Sequence, residues 1–332
     1  MQFSSGIVLA LCILFVQGQN IAKEKCSKYL DLTKQKASIL FLSAIPKVEK
    51  VESSLCSKTV DLIVGGKDAK PGEFPHQAVL GWARRDDKEQ YDFSCGGSLI
   101  SDRFVLTAAH CLKRGLPEIV RLGVNDISDE YENFVEIDVE QAIRHPSHNY
   151  KRSYHDIALV KMAKSVIFSK IIRPACLWTE SQKKVSSVIA TGFGLTTNNG
   201  VPSKILQKVS LDILTKAHCA QYNDRSKFNR NIANEQLCIG SVAGRKDTCS
   251  GDSGSPVQVL LDEKECVYHV LGVTSVGKAC GIGMSSAIYT YVAPYIRWIE
   301  QTYLTIKIFK QCAEANDRFV RIIIRISNDR FT

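Results

Sequence analysis

The chain has 332 residues, 45% hydrophobic and 23% charged, with a formal net charge of +9. Those proportions allow a sizeable buried core and exclude wholesale disorder and collagen-like repeats. The charge divides as +3 over residues 19–62, +3 over 63–303 and +3 over 304–332, so the long central part is close to neutral and no nucleic-acid partner is expected.

Residues 1–18 hold no charged side chain and contain an apolar run over residues 7–16, followed by Val16 and Gly18 as the small residues of a cleavage site. This reads as a secretory signal peptide, too short to span a membrane. No other run approaches the ~18 apolar residues a span requires, so no membrane partner is expected and the mature chain is placed outside the cell. There, most of its 12 cysteines are expected to oxidise.

Residues 19–62 form a Lys-rich segment with weak helical patterning around residues 29–42, a break at Pro46, and two cysteines, Cys26 and Cys56. From Ile63 the texture changes. Short β-prone runs alternate with turn residues at 77–82, 97–106, 118–122, 134–143, 157–161, 185–192, 205–214, 269–275 and 287–291. Such spacing predicts antiparallel barrels or sandwiches. Apolar Val292, Ile296, Ile299 and Tyr303 then recur at a helical period. Residues 304–332 end in a β-prone apolar stretch over 319–326 with no function legible in it; its arginines and length exclude a membrane span.

Three strings carry chemistry. Thr107-Ala108-Ala109-His110-Cys111 offers a histidine, Asp156-Ile157-Ala158-Leu159-Val160 an acid leading an apolar run, and Gly251-Asp252-Ser253-Gly254-Ser255 a serine among glycines. A serine hydroxyl is a weak nucleophile at neutral pH and needs a base, here His110, whose tautomer a buried carboxylate, Asp156, would fix. The backbone N–H groups of Gly251 and Ser253 would face the developing oxyanion. The order His, Asp, Ser is one of the linear orders in which this triad occurs.

With Ile63-Val64-Gly65-Gly66, Cys95-Gly96-Gly97-Ser98-Leu99-Ile100, Gly192-Phe193-Gly194 and Tyr289-Thr290-Tyr291-Val292, these strings make residues 63–303 resemble a chymotrypsin-fold, trypsin-like serine protease. The resemblance is nearest to arthropod snake-like and clip-type cascade proteases, through Lys70-Pro71-Gly72-Glu73-Phe74-Pro75-His76 and Tyr154-His155-Asp156. It implies an all-β fold of two orthogonal six-stranded antiparallel barrels with a C-terminal helix. Residues 19–62 would be a short or degenerate clip-like pro-segment, since two cysteines stand where a full clip domain has six, and 304–332 an extension of unknown role.

The resemblance also implies a set of roles. Cutting the Leu62-Ile63 bond would free an ammonium on Ile63 to pair with Asp252. Because Leu62 is apolar, the activating enzyme would have an apolar primary pocket, and self-activation is disfavoured. Asp247 would floor the primary pocket and select Arg or Lys, with Ser275 and Gly277 on its wall. Ala287 stands where relatives have glycine, so one methyl would intrude there. The implied disulfides are Cys95 with Cys111, Cys219 with Cys238, Cys249 with Cys280, and Cys56 with Cys176. Cys26, Cys266 and Cys312 are left without an implied partner; Cys26 with Cys266 is one pairing open to them. No cofactor and no metal are expected: the loop around residues 124–136 keeps Asp126, Asp129, Glu130 and Glu132, but Val124 replaces the usual first carboxylate of a calcium site.

The function implied is a secreted serine endopeptidase zymogen in an extracellular cascade of immune, melanisation or developmental type. Its partners would be a protein substrate such as a downstream zymogen or pro-ligand, an upstream activating protease and a serpin-type inhibitor. The alternatives are a digestive trypsin, against which stand the long pro-segment and Leu62, and a non-catalytic homologue acting as a binding cofactor, against which stands Ser253.

Overall fold

Short strands dominate the computed structural model, which describes residues 20–41, 47–54, 66–88, 90–128, 133–180, 185–195, 200–222, 232–241, 251–261, 266–277, 286–304 and 306. The signal-like stretch, the activation string from Leu62 to Gly65, Asp247 and the last 26 residues lie outside that set. The described residues begin with a helix, Ile21–Asp31, and then two paired antiparallel strands, β1 (Lys34–Phe41) and β2 (Lys47–Ser54), with Lys34 opposite Ser54. The helical patterning read over residues 29–42 is thus corrected. The helix stops where Thr33 donates its hydroxyl to Leu30 O at 2.7 Å, and the residues after it satisfy their backbone in a two-stranded ladder instead.

A two-residue strand, β3 (Lys67–Asp68), leads into the first barrel. Its strands are β4 (Gln77–Ala83), β5 (Tyr91–Leu99), β6 (Phe104–Thr107), β7 (Ile119–Leu122), β8 (Val135–Arg144) and β9 (Ala158–Met162), closed in the order β4-β5-β6-β9-β8-β7. Closure leaves no edge strand to aggregate. Leu80, Leu99, Val105, Leu106, Val120, Leu122 and Val160 on its strands are all 0% exposed. The run read over residues 97–106 is two strands, because Ser101 Oγ accepts the amides of Arg103 (3.2 Å) and Phe104 (3.1 Å) and turns the chain between them.

The second barrel follows a short β10 (Cys176–Leu177) and uses β11 (Ser187–Gly192), β12 (Gln207–Leu214), β13 (Gln236–Gly240), β14 (Pro256–Leu260), β15 (Tyr268–Val276) and β16 (Ser286–Tyr291). The path β15-β14-β11-β12-β13-β16 closes through β15 pairing β16, giving six antiparallel strands; β10 and β3 add at its margins. Trp178, Val188, Leu211, Ile239, Val257 and Tyr289 form its core. Truncating a leucine in either interior, such as Leu106→Ala, would cost about 2–5 kcal/mol.

Among the described residues, 20–22 and 295–304 fall in a compact unit of their own, with the 3-10 turn Ala293–Tyr295 leading to a helix over residues 296–304. Within that unit the Ala22 amide donates to Glu300 Oε1 at 2.8 Å. No helix among the described residues is long and apolar enough to cross a membrane.

Candidate active site

The end of β6 runs directly into a 3-10 helix, Ala109–Arg114, and His110 is its second residue. Ala108 and Ala109 are fully buried, so the turn cannot rock outward, and a disulfide from Cys111 to Cys95 on β5 pins it at a Cα separation of 6.1 Å. The His110 side chain keeps a third of its surface exposed. It can therefore exchange protons with a substrate while its far edge is held.

Asp156 holds that edge. It sits just before β9 and is 1% exposed. Its Oδ1 accepts the His110 backbone amide at 2.8 Å and its Oδ2 lies 2.7 Å from the ring Nδ1. Ser275 adds its hydroxyl to the same Oδ2, and Thr290 donates its own to the Asp156 carbonyl at 2.8 Å. Burial by itself would raise the Asp156 pKa. The charge on His110 and the hydrogen bonds from His110 and Ser275 outweigh burial and hold the carboxyl below its ordinary value. The preceding residue, His155, takes φ +52°, a left-handed conformation unusual for a residue with a Cβ. Its ring stacks on His145 at 5.1 Å with 17° between planes.

Ser253 lies in a tight turn between Gly251 (φ +103°) and Gly254 (φ +78°), backbone angles that favour glycine. The turn is seated against the first barrel. Gly96 N on β5 donates to Ser253 O at 2.8 Å, and a Cβ on Gly254 would fall 2.2 Å from Thr107 Oγ1, three residues before His110. Ser253 thus belongs to the second barrel and His110 and Asp156 to the first, and backbone contact seats the Ser253 turn on Gly96 and Thr107 of the strands that lead to His110. A buried carboxylate on an imidazole, with a serine among glycines seated on the adjoining strands, is an arrangement able to activate a hydroxyl for acyl transfer.

Asp252 turns the other way. It is 8% exposed and its Oδ1 accepts Gly194 N at 2.9 Å. A Cβ on Gly192 would fall 2.0 Å from that oxygen, and one on Gly194 would fall 2.7 Å from the carboxyl carbon. Two glycines therefore make the seat into which this carboxylate fits.

The remaining expectations divide. Ser275, expected on the wall of the primary pocket, gives its hydroxyl to Asp156, a role missed in the sequence because the two stand 119 residues apart. Gly277 is exposed, and Ala287 is 1% exposed, on β16 opposite Ile239 in the core of the second barrel. Asp247, Cys249, Cys280, Leu62, Ile63, Cys56 and Cys312 lie outside the described residues. Cys219 is joined to Cys238.

The tether is a correction. Cys176 is bonded to Cys26, with Cα atoms 4.9 Å apart, and not to Cys56; Cys266 is bonded as well, so the Cys26 to Cys266 pairing also falls. The reason lies in the helix Ile21–Asp31. Tyr29 is 7% exposed, donates its hydroxyl to Ile100 O at 2.9 Å and packs edge-on to Phe168, which sets Cys26, one turn back, against β10. Among the described residues, two clusters have metal-like composition, Cys26-Cys176-His269 and Cys95-His110-Cys111. In each the two sulfurs form a disulfide and offer no thiolate to an ion.

Comparison with known proteins bears on the same residues. The family model described as Trypsin matches residues 63–299. The chain is 37% identical over 291 residues to serine protease snk of Drosophila melanogaster, covering 86% of this chain and 66% of snk. It is 33% identical over 267 residues to serine protease Hayan of the same fly, covering 77% of this chain and 41% of Hayan. It is 32% identical over 286 residues to phenoloxidase-activating factor 3 of Holotrichia diomphalia, covering 80% and 78%. The chain thus spans less than two thirds of the length of the first two.

Proposed function

The chain belongs to the trypsin family of serine endopeptidases, and from that premise we propose that it is a secreted zymogen, cleaving proteins after Arg or Lys in an extracellular cascade. The observation that carries the catalytic part is the double grip of Asp156 on His110. With Nδ1–H held by the carboxylate, Nε2 is left as the base for Ser253. His110 takes the Ser253 proton as the hydroxyl attacks the scissile carbonyl, and returns it to the leaving amine. The N–H groups of Gly251 and Ser253 receive the oxyanion, each worth about 3 kcal/mol in the transition state. Asp156 stays ionised throughout, stabilising the imidazolium.

The zymogen part rests on Asp252. Cleavage of the Leu62-Ile63 bond creates an ammonium that can pair with this carboxylate in its glycine seat, ordering the oxyanion turn. An enzyme with an apolar primary pocket makes that cut. Asp247 at the base of the primary pocket selects the basic side chain. Residues 19–62 act as the pro-segment and 63–303 as the protease domain. The cascade placement follows the relatives, one of which is named for activating phenoloxidase. The substrate is a downstream zymogen or pro-ligand, and a serpin-type inhibitor ends the activity. An open groove of about 830 Å³ lined by Trp82, Arg84, Arg85, Asp92, Arg114 and Glu118 flanks the turn carrying His110 and offers room for a polypeptide.

The test uses the full chain before and after cleavage by an elastase-like protease, with a labelled fluorophosphonate and with arginyl and phenylalanyl amide substrates. Only the cut protein should label and turn over the arginyl amide. Ser253→Ala should lose about 10⁶-fold in turnover while remaining folded. Labelling of the uncut chain at the same rate, or preference for Phe, would overturn the zymogen or the specificity assignment respectively.

A further inference from the structure

Behind the nucleophile turn, five polar side chains are almost wholly buried: His76 (1% exposed), Gln77 (2%), Thr191 (2%), Ser255 (1%) and Gln258 (0%). Polar groups are buried in this way only when they satisfy one another. Here they do so in a line. His76 Nε2 lies 2.6 Å from Gln258 Oε1, Gln258 Nε2 donates to Thr191 Oγ1 at 3.3 Å, Thr191 Oγ1 donates to Gln77 Oε1 at 2.8 Å, and Gln77 Nε2 donates to Ser255 Oγ at 3.4 Å.

With the amides in these orientations Gln258 Oε1 can only accept, so His76 Nε2 carries the proton and the bonds run one way along the line. The line also crosses between barrels. Gln77 begins β4 of the first and His76 directly precedes it, while Thr191 on β11 and Gln258 on β14 belong to the second. Gln258 sits immediately after the register shift in β14, the kind of irregularity that re-aims a side chain. At the far end, a Cβ on Gly96 would fall 1.9 Å from Ser255 Oγ, and the same Gly96 donates its amide to Ser253 O.

We propose that His76, Gln258, Thr191 and Gln77 are positioning residues, a one-way hydrogen-bond chain that fixes Ser255 and so sets where the turn bearing Ser253 stands relative to His110. This rests on Ser253 being the nucleophile. A side chain two residues from the nucleophile, locked from the opposite barrel, controls the approach of the hydroxyl to its base. Misplacement by about 1 Å can cost ~100-fold in rate without altering substrate binding.

The experiment compares Thr191→Val, isosteric but unable to bond, with Thr191→Ser, which keeps the hydroxyl. All rates are expressed per active site, counted by an end-point titrant on the cleaved full chain, so unfolded molecules drop out. Thr191→Val should lower kcat on a small arginyl amide by roughly 10- to 100-fold with KM within about 2-fold, and Thr191→Ser should restore kcat to within about 3-fold of the parent. If Thr191→Val yields no folded protein, His76→Phe, which removes the first donor and keeps a ring, should show the same split. A kcat per site equal to the parent in the apolar variant, or an equal loss in Thr191→Ser, would overturn the proposal. Absence of fluorophosphonate labelling in the cleaved parent itself would instead overturn the assignment of Ser253.

Discussion

Asp156 meets His110 twice, with a different oxygen each time: Oδ1 receives the backbone amide at 2.8 Å and Oδ2 faces ring Nδ1 at 2.7 Å. One contact fixes the main chain and the other fixes rotation of the ring about it. The imidazole can therefore move only if the buried carboxylate moves with it, and Asp156 is itself held by Ser275 and Thr290.

Ser275→Ala removes a hydroxyl from the charged Oδ2. Hydrogen bonds to charged groups contribute about 1.5–3 kcal/mol, so kcat/KM should fall roughly 10- to 100-fold. Because that bond favours the ionised carboxyl, its loss raises the Asp156 pKa. The acid-side midpoint of the pH–rate profile should move upward. An unchanged midpoint would show that Ser275 does not act through Asp156.

Gly192→Ala should abolish activity while sparing most of the fold. The new methyl would stand 2.0 Å from Asp252 Oδ1, so the carboxylate must leave its seat. The cleaved variant is expected to label with fluorophosphonate at least about 100-fold more slowly, as a displaced oxyanion turn costs about 3 kcal/mol or more. Circular dichroism should remain that of the parent. Normal labelling would mean that the seat of Asp252 is irrelevant to the turn.

Acid should destabilise the protein through His76. Burial lowers its pKa from 6.5 to about 4, against the hydrogen bond to Gln258, which raises it. The folded state therefore prefers the neutral ring, and the unfolded chain binds the extra proton between those values. Stability from this group is complete above pH 6.5 and falls by about 3 kcal/mol as pH drops toward 4. His145, lowered by burial and by the neighbouring charges of His155 and His148, acts in the same direction. Asp156, lowered from 3.8, loses its contribution only below that window. Urea unfolding at pH 7 and pH 4.5 should show a smaller difference in His76→Phe than in the parent; equal differences would exclude His76.

The bond from Cys26 to Cys176 predicts how the cleaved chain behaves. Cut at Leu62-Ile63, it should migrate as one species unreduced and as two after reduction. Cys26→Ser, which opens a crosslink spanning 150 residues, should cost roughly 2–5 kcal/mol in thermal or urea unfolding. Two unreduced species from the parent would refute the tether.

The two barrels were legible because each strand needs only local signals: a short β-prone run bounded by turn residues. The pairing of His110 with Asp156 was legible from the order of the three strings and the needs of a serine nucleophile, since nothing near either residue alone announces the other. The tether was misread for a related reason. Cys26 and Cys56 both precede the cut, and only the docking of Tyr29 under Ile100 O decides between them. The polar line from His76 to Ser255 left no trace at all. His76 and Gln258 stand 182 residues apart, and each in isolation looks like an ordinary polar residue beside a strand.

Because Ser253 hangs from one barrel and His110 with Asp156 from the other, hydrolysis behaves as a fuse. Slight parting of the halves separates base from nucleophile long before either β-barrel melts. A heated or damaged copy would thus fall silent while still folded, and a failing protease would stop cutting its neighbours before becoming unfolded debris itself.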